Sequence, residues 1–225
     1  MVFKSKRYRK ELQQLNEEKV DLAEAVEKIK SFESVKFDQS VECVFHLGID
    51  PKQADQLVRG SISLPHGIGK QKKVIAFCED SDIETAKQAG AIEAGCDKLI
   101  KKVSDGWMDF DVSIASPKVM RKVGKLGRIL GPVGKMPSPK NGTLTADVAN
   151  AVAEFAAGKV EFRNDAGGNI HVIVGKQSFE TEKLIGNIEA FVSHIKKIKP
   201  AASKGTYIKK MSISATMSPS VTVSM

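Results

Sequence analysis

PHGIGKQKKVIAF, Pro65 to Phe77, marks a change of pattern along this chain. Its end, Lys73 to Phe77, is a continuous apolar run behind a lysine, typical of a parallel strand buried on both faces. Its start, Pro65-His66-Gly67-Ile68-Gly69, is a natural hinge. Upstream, Val41, Cys43, Phe45 and Leu47 alternate with Glu42, Val44 and His46, which predicts a strand with one apolar face. Ser61 to Leu64 reads as a second strand, and Asp50-Pro51 as the start of a short helix. Further back, Asp21 with Glu24 makes a capping box for a helix whose apolar face is Leu22, Val26 and Ile29.

Downstream, strand and helix alternate. Ser81 and Glu84 cap a helix that stops at Gly90. A weaker unit contains Asp97 to Val103. Asp111 to Ala115 is another buried-strand run, and Ser116-Pro117 opens a helix. Thr145 caps the helix that Gly158 ends. This alternation reads as a small doubly wound α/β domain. From Lys159 the earlier pattern returns. KVEFRND and NIHVIVG form a hairpin around Asp165-Ala166-Gly167-Gly168. A long helix spans Thr181 to Lys197 on Leu184, Ile188, Phe191, Val192 and Ile195, with Pro200 closing it. TYIKKMSISATM alternates as a last strand. The economical fold is an α/β and α+β two-domain protein. Its split α+β domain, 1–66 and 159–225, is an antiparallel sheet with helices. It carries an inserted Rossmann-like α/β domain, 67–158, and the crossings near Gly67 and Gly158 would make a hinge.

Between Asp111 and Asp147 there is no acidic residue but there are seven basic ones: Lys118, Arg121, Lys122, Lys125, Arg128, Lys135 and Lys140. Gly131, Pro132, Gly134, Pro137, Pro139 and Gly142 punctuate that span, which reads as a cationic, largely irregular segment. The whole chain carries a formal +8 over 225 residues, with a pI near 9.3. Such a field suits an anionic partner, nucleic acid before a membrane surface. No apolar run approaches the roughly 20 residues a spanning helix needs. The start, MVFKSKRYRKELQQ, lacks a signal peptide's apolar core and reads as a basic amphipathic helix or arm. Three cysteines, Cys43, Cys78 and Cys96, have no CxxC spacing and read as reduced thiols.

Catalytic patterns fail one by one. The Gly-Lys pairs at 69–70, 124–125, 134–135 and 175–176 lack both the earlier glycine and the following Ser/Thr of a phosphate loop. No GxGxxG follows a buried strand. His46, His66, His171 and His194 are scattered, and His46 and His194 read as structural. Asp109 and Asp111 flank a strand. No catalytic residue, metal site or cofactor is expected, and an enzyme using the α/β unit is the weaker reading.

GRILGPVGKMPSPKNGT, Gly127 to Thr143, resembles the signature of the bacterial L-one family of large-subunit ribosomal proteins, which forms the mobile E-site stalk. Lys36–Lys70, Asp105–Pro117, Phe162–Lys176 and Ser214–Val221 resemble the same family. The resemblance implies a structural role on the cytoplasmic ribosome. Its implied partners are stalk rRNA and E-site tRNA, with the protein's own mRNA as a target for translational repression. It implies a free monomer, no membrane and the same split architecture. Carried over to this chain, the rRNA surface comprises Lys36, Phe37, Ser40, Thr216, Met217 and Ser218. Lys36 would meet phosphate, the Ser40 and Thr216 hydroxyls would bond to RNA, and Phe37 and Met217 would pack on ribose or a base. Arg163 to His171 would be a second contact, with Lys176 nearby. Lys4, Arg7, Arg9, Lys10, Lys204, Lys209 and Lys210 would add phosphate contacts. Two positions depart from the family. Ser218 replaces a glycine, which casts doubt on the close approach there. Ala166 replaces a lysine at the turn.

Overall fold

The structure is a computed structural model that describes residues 4–15, 19–32 and 35–224. In chain order its elements are α1 (Lys6–Gln13), α2 (Leu22–Ser31), β1 (Ser40–Leu47), β2 (Arg59–Ile62), β3 (Val74–Phe77), α3 (Ile83–Gln88), β4 (Glu93–Gly95), α4 (Asp97–Ser104), β5 (Val112–Ala115), α5 (Met120–Val123), α6 (Gly127–Val133), α7 (Val148–Ala156), β6 (Val160–Arg163), β7 (Asn169–Lys176), α8 (Thr181–Lys197), β8 (Ile208–Ala215) and β9 (Val221–Val223). The fold is mixed α/β. The chain divides into two compact units, Met1–Gly69 with Val160–Met225, and Lys70–Lys159.

In the first unit an antiparallel sheet runs β7-β1-β8-β9. β1 alternates as its sequence predicts, burying Val41, Cys43, Phe45 and Leu47. That face meets α2 and α8, and Phe191 of α8 sits edge-on to Phe45 at 5.4 Å and to Phe162 at 5.5 Å. The predicted hairpin turn forms at residues 165–168, where the Asp165 N–H donates to the Asn169 carbonyl at 2.8 Å, but its two arms diverge. β6 pairs with β2 and β7 with β1, and a single bridge, Asn164 to Ile170, joins them. Buried Asn164 sits where the arms part. Its Oδ1 accepts the Val58 N–H at 2.9 Å, and its Nδ2 donates to the Asp165 carbonyl. The second unit holds a parallel sheet, β4-β3-β5, with β3 and β5 buried along their whole length. Helices cover both faces and make two apolar clusters.

Several helix starts differ from expectation. Asp21 is the N-cap of α2 but its side chain makes no cap bond, and Glu24 pairs with Lys28 at 2.8 Å. Asp50-Pro51 opens turns rather than a helix, with the Asp50 carboxylate accepting the Lys52 N–H. Ser81 lies inside a 3-10 turn and bonds to Asp82. Ser116-Pro117 is a turn, and α5 starts at Met120. Asp147, not Thr145, caps α7 by accepting the Asn150 N–H at 3.1 Å. At Asp50 and Asp147 a carboxylate takes a nearby backbone N–H and so fixes the turn or the cap locally. The second strand lies at Arg59–Ile62, two residues before its predicted place.

The basic centre is more helical than its glycines and prolines suggested. α5, a 3-10 turn at Gly124–Leu126 and α6 follow without interruption. Val119, Val123, Leu126 and Leu130 are buried along one side. Their spacing is helical, and burying that stripe outweighs the weak propensity of glycine. Pro132 falls in the last turn, and Gly134 ends the helix with φ 75°.

Candidate nucleic-acid interface

The candidate surface is built where β1 begins and β8 ends. The register Val41 to Ala215 makes these ends neighbours, so the preceding loop, 36–39, meets the following loop, 216–220. The Thr216 N–H donates to the Ser40 carbonyl at 3.1 Å, and the Ser40 N–H donates to Thr216 Oγ1 at 3.1 Å. Gln39 is fully buried between them. Its Oε1 accepts the Met217 N–H at 2.8 Å, and its Nε2 donates to Gln177 Oε1 at 2.9 Å. A third segment joins from the end of β7. Lys176 Nζ donates to Ser40 Oγ at 2.9 Å, and the Ser178 hydroxyl donates to the Asp38 carboxylate at 2.8 Å.

From this bonded base, Phe37 and Met217 project with 52% and 51% of their surfaces exposed. Residues alone read more naturally as core here. The buried anchors are instead Gln39 and Pro219. Lys36 is exposed beside Phe37. Arg7 of α1 reaches the same place, with its guanidinium donating to the Met217 carbonyl at 2.7 Å and pairing with the buried Glu11 at 2.8 Å. Ser218 needs no left-handed backbone, since no non-glycine among the described residues has positive φ. Its hydroxyl accepts the Ala215 N–H at 2.9 Å and closes the turn.

The other predicted residues are not all nearby. Lys176 belongs to the first cluster, not to the Arg163 turn, because seven residue steps along the strand, about 23 Å, separate it from Asn169. Arg163 is exposed at the end of β6, across from Arg59. His171 lies mid-strand on the open sheet face, 2.9 Å from the Glu42 carboxylate. The Asp165 carboxylate accepts N–H groups from Asn169 and Gly167, and the Asn169 bond foremost holds it below the usual carboxylate range. Ala166 leaves that turn intact.

Sequence reading missed Gln39, Gln177 and the Asp38–Ser178 bonds, and it gave Arg7 a phosphate contact without its bond to the Met217 carbonyl. Gln39 was within reach. It has the same parity as Val41 and Cys43, so extending the alternation by two residues places it inward. The others depend on segments brought together from over 130 residues apart.

Not all seven cations of the basic centre are free. Lys118 pairs with Glu79 at 2.8 Å and Lys122 with Asp97 at 2.9 Å. Lys135 Nζ donates to the carbonyls of Met108 and Phe110 and lies over the Phe110 ring. A cleft of about 920 Å³ lies at the carboxyl ends of β3, β4 and β5, and the Glu79–Lys118, Asp97–Lys122 and Glu93–Lys102 pairs line it. The three cysteines are free thiols, and burial raises the pKa of Cys43 and Cys78. Among the described residues no group of three or more His, Cys, Asp or Glu could hold a metal, and no helix is long and apolar enough to cross a membrane.

The fold and surface thus define a mixed α/β protein that offers a shaped, partly aromatic, cationic face. The sequence profile of the Ribosomal protein L1p/L10e family matches residues 7–219. The chain belongs to that family. The large ribosomal subunit protein uL1 of Rhodopirellula baltica is 55% identical over 98% of this chain and 98% of its own length. The same-named proteins of Chlorobaculum tepidum and Kosmotoga olearia are 47% and 49% identical. They cover 99% and 98% of this chain, and 97% and 96% of their own lengths.

Proposed function

We propose that this protein is a structural constituent of the large ribosomal subunit, on the cytoplasmic ribosome, and that it binds the rRNA of the mobile E-site stalk. It is not an enzyme. One observation carries the RNA reading: Phe37 and Met217 are half exposed at the tips of two loops that hydrogen bonds hold rigid, with Lys36 and Lys176 beside them. An exposed aromatic ring on a fixed loop suits stacking on an unpaired base, and the lysines suit phosphate. The Ser40 and Thr216 hydroxyls reach ribose or base edges. Met217 packs on ribose, and the turn at Ser218 lets the backbone approach. Arg163 and His171 give a second contact further along the same unit.

The finer reading has the segments 1–66 and 159–225 as one RNA-binding domain, with 67–158 as an inserted Rossmann-like domain that swings on its two crossings. The protein is then a monomer when free. It helps the stalk release deacylated tRNA from the E site, and it represses its own mRNA where that message copies the rRNA fold. Family membership and the identities above support this assignment.

The test is titration of the purified protein with stalk rRNA and with a shuffled duplex of equal length, at physiological salt. Phe37→Ala removes a half-exposed ring that is not part of the buried core. It should weaken stalk binding by about five- to 150-fold, as the loss of a stacked base of ~1–3 kcal/mol implies, with little change in Tm. Equal wild-type affinity for both RNAs would mean that charge alone does the binding, and the assignment would fall. A preference that survives Phe37→Ala would keep the function and move its site.

A further inference from the structure

We propose that the α5–α6 face of the Lys70–Lys159 unit is a second RNA-binding surface, shaped for close approach of a phosphodiester backbone. The inference rests on the RNA reading above but uses none of its residues. Its first support is charge. Arg121, Lys125 and Arg128 recur at helical spacing on the side opposite the buried Val123, Leu126 and Leu130. All three are exposed, and none has an ion-pair partner among the described residues, whereas Lys118 and Lys122 are engaged by carboxylates. With no acidic residue between Asp111 and Asp147, nothing on this run offsets their field.

The second support is independent of charge. Gly124, Gly127 and Gly131 lie beside the cation row, and a Cβ added at any of them would meet nothing within 4 Å. Gly124 and Gly127 have φ of −54° and −56°, so the backbone does not demand glycine either. Alanine would make a better helix at each position. Three glycines where neither packing nor conformation needs them break a local rule, and such breaks mark functional sites. Their effect is to bare the helical backbone along one side of the cations. A flexible polyanion can lie against that strip while the three side chains reach its phosphates from one flank. A protein partner would gain little there, since the strip offers almost no apolar area beyond Val133.

The test uses the full chain, an unrelated RNA duplex, the stalk rRNA, and vesicles of phosphatidylserine and phosphatidylcholine. On the unrelated duplex, R121Q/K125Q/R128Q should bind at least tenfold more weakly at physiological salt. Its log–log salt slope should fall by about two to three, as expected when three phosphate contacts are lost. G124L/G131L keeps every charge and should still bind severalfold more weakly, while G124A/G131A should fold with a higher Tm. Wild-type duplex binding by either the charge variant or the leucine variant overturns the inference. So does loss of vesicle binding without loss of RNA binding, which would assign the face to a membrane. Failure of the stalk reading shows separately, as a wild type that does not prefer stalk rRNA to the duplex.

Discussion

Gln39 sets the geometry of the candidate surface although it exposes no atom to solvent. Its amide holds the Met217 N–H on one side and the Gln177 side chain on the other. Gln39→Leu would fill the same space but leave that N–H unpaired, at a cost of about 1–3 kcal/mol. Stalk RNA should then dissociate about tenfold faster, read by stopped-flow. An unchanged off-rate would show that the loop holds itself. His194 acts on stability instead. Its ring packs edge-on to Phe162 at 5.7 Å, and its Nε2 is buried without a partner. Burial foremost, with Lys197 second, lowers its pKa below the ordinary 6.5. The unfolded chain therefore takes up the proton first as pH falls. The contribution is complete above 6.5 and is lost as pH drops through the folded value. Urea midpoints should fall more steeply below pH ~6.5 for wild type than for His194→Phe, and parallel curves would refute this. Sequence reading took His194 as structural from its isolation, and the packing agrees. Extending the alternation of β1 would have turned Gln39 in, but it could not show that Phe37, of the same parity, stands out, because Phe37 belongs to a loop whose direction β1 and β8 impose together.

At the scale of elements, α8 was the most legible. Its apolar stripe and its bounds, Thr181–Lys197, match expectation. Less visible was what lets it dock. A Cβ added at Gly175 of β7 would lie 2.8 Å from Leu184 Cδ2 and 3.0 Å from Phe179 Cδ2. Gly175→Val should therefore lift α8 from the sheet and destabilise the protein by about 1–3 kcal/mol, measured as a lower urea midpoint at unchanged m. A wild-type midpoint would mean that α8 shifts without cost. The basic centre was the least legible stretch. Glycine and proline were weighed as breakers, while the Val119, Val123, Leu126, Leu130 stripe went uncounted. Propensity is a weak prior there, because the stripe is paid for by burial against the parallel sheet.

Across the whole molecule, the sheet β7-β1-β8-β9 takes β1 from the first part of the chain and its other strands from the last. Residues 1–69 alone leave β1 without either neighbour and should not fold. The fragment 70–159 carries its own sheet and two apolar clusters, and should unfold cooperatively in urea. A fragment 70–159 without a cooperative transition would show that the unit depends on the rest of the chain.

The sequence by itself determined most of the strands and helices, the turns at Asp50 and the helical basic centre excepted, since the periods of 2 and 3.6 residues are local and each residue carries its own share of the signal. It also carried the family, in the run from Gly127 to Thr143. Only the tertiary structure decided that the strands after Gly158 part into two sheets, that Lys118 and Lys122 are spent on Glu79 and Asp97, and that three loops meet at Ser40. Alternation states that one face of a strand is buried but not against which neighbour. Pairing and charge compensation are contacts between distant residues, and no local pattern encodes the partner.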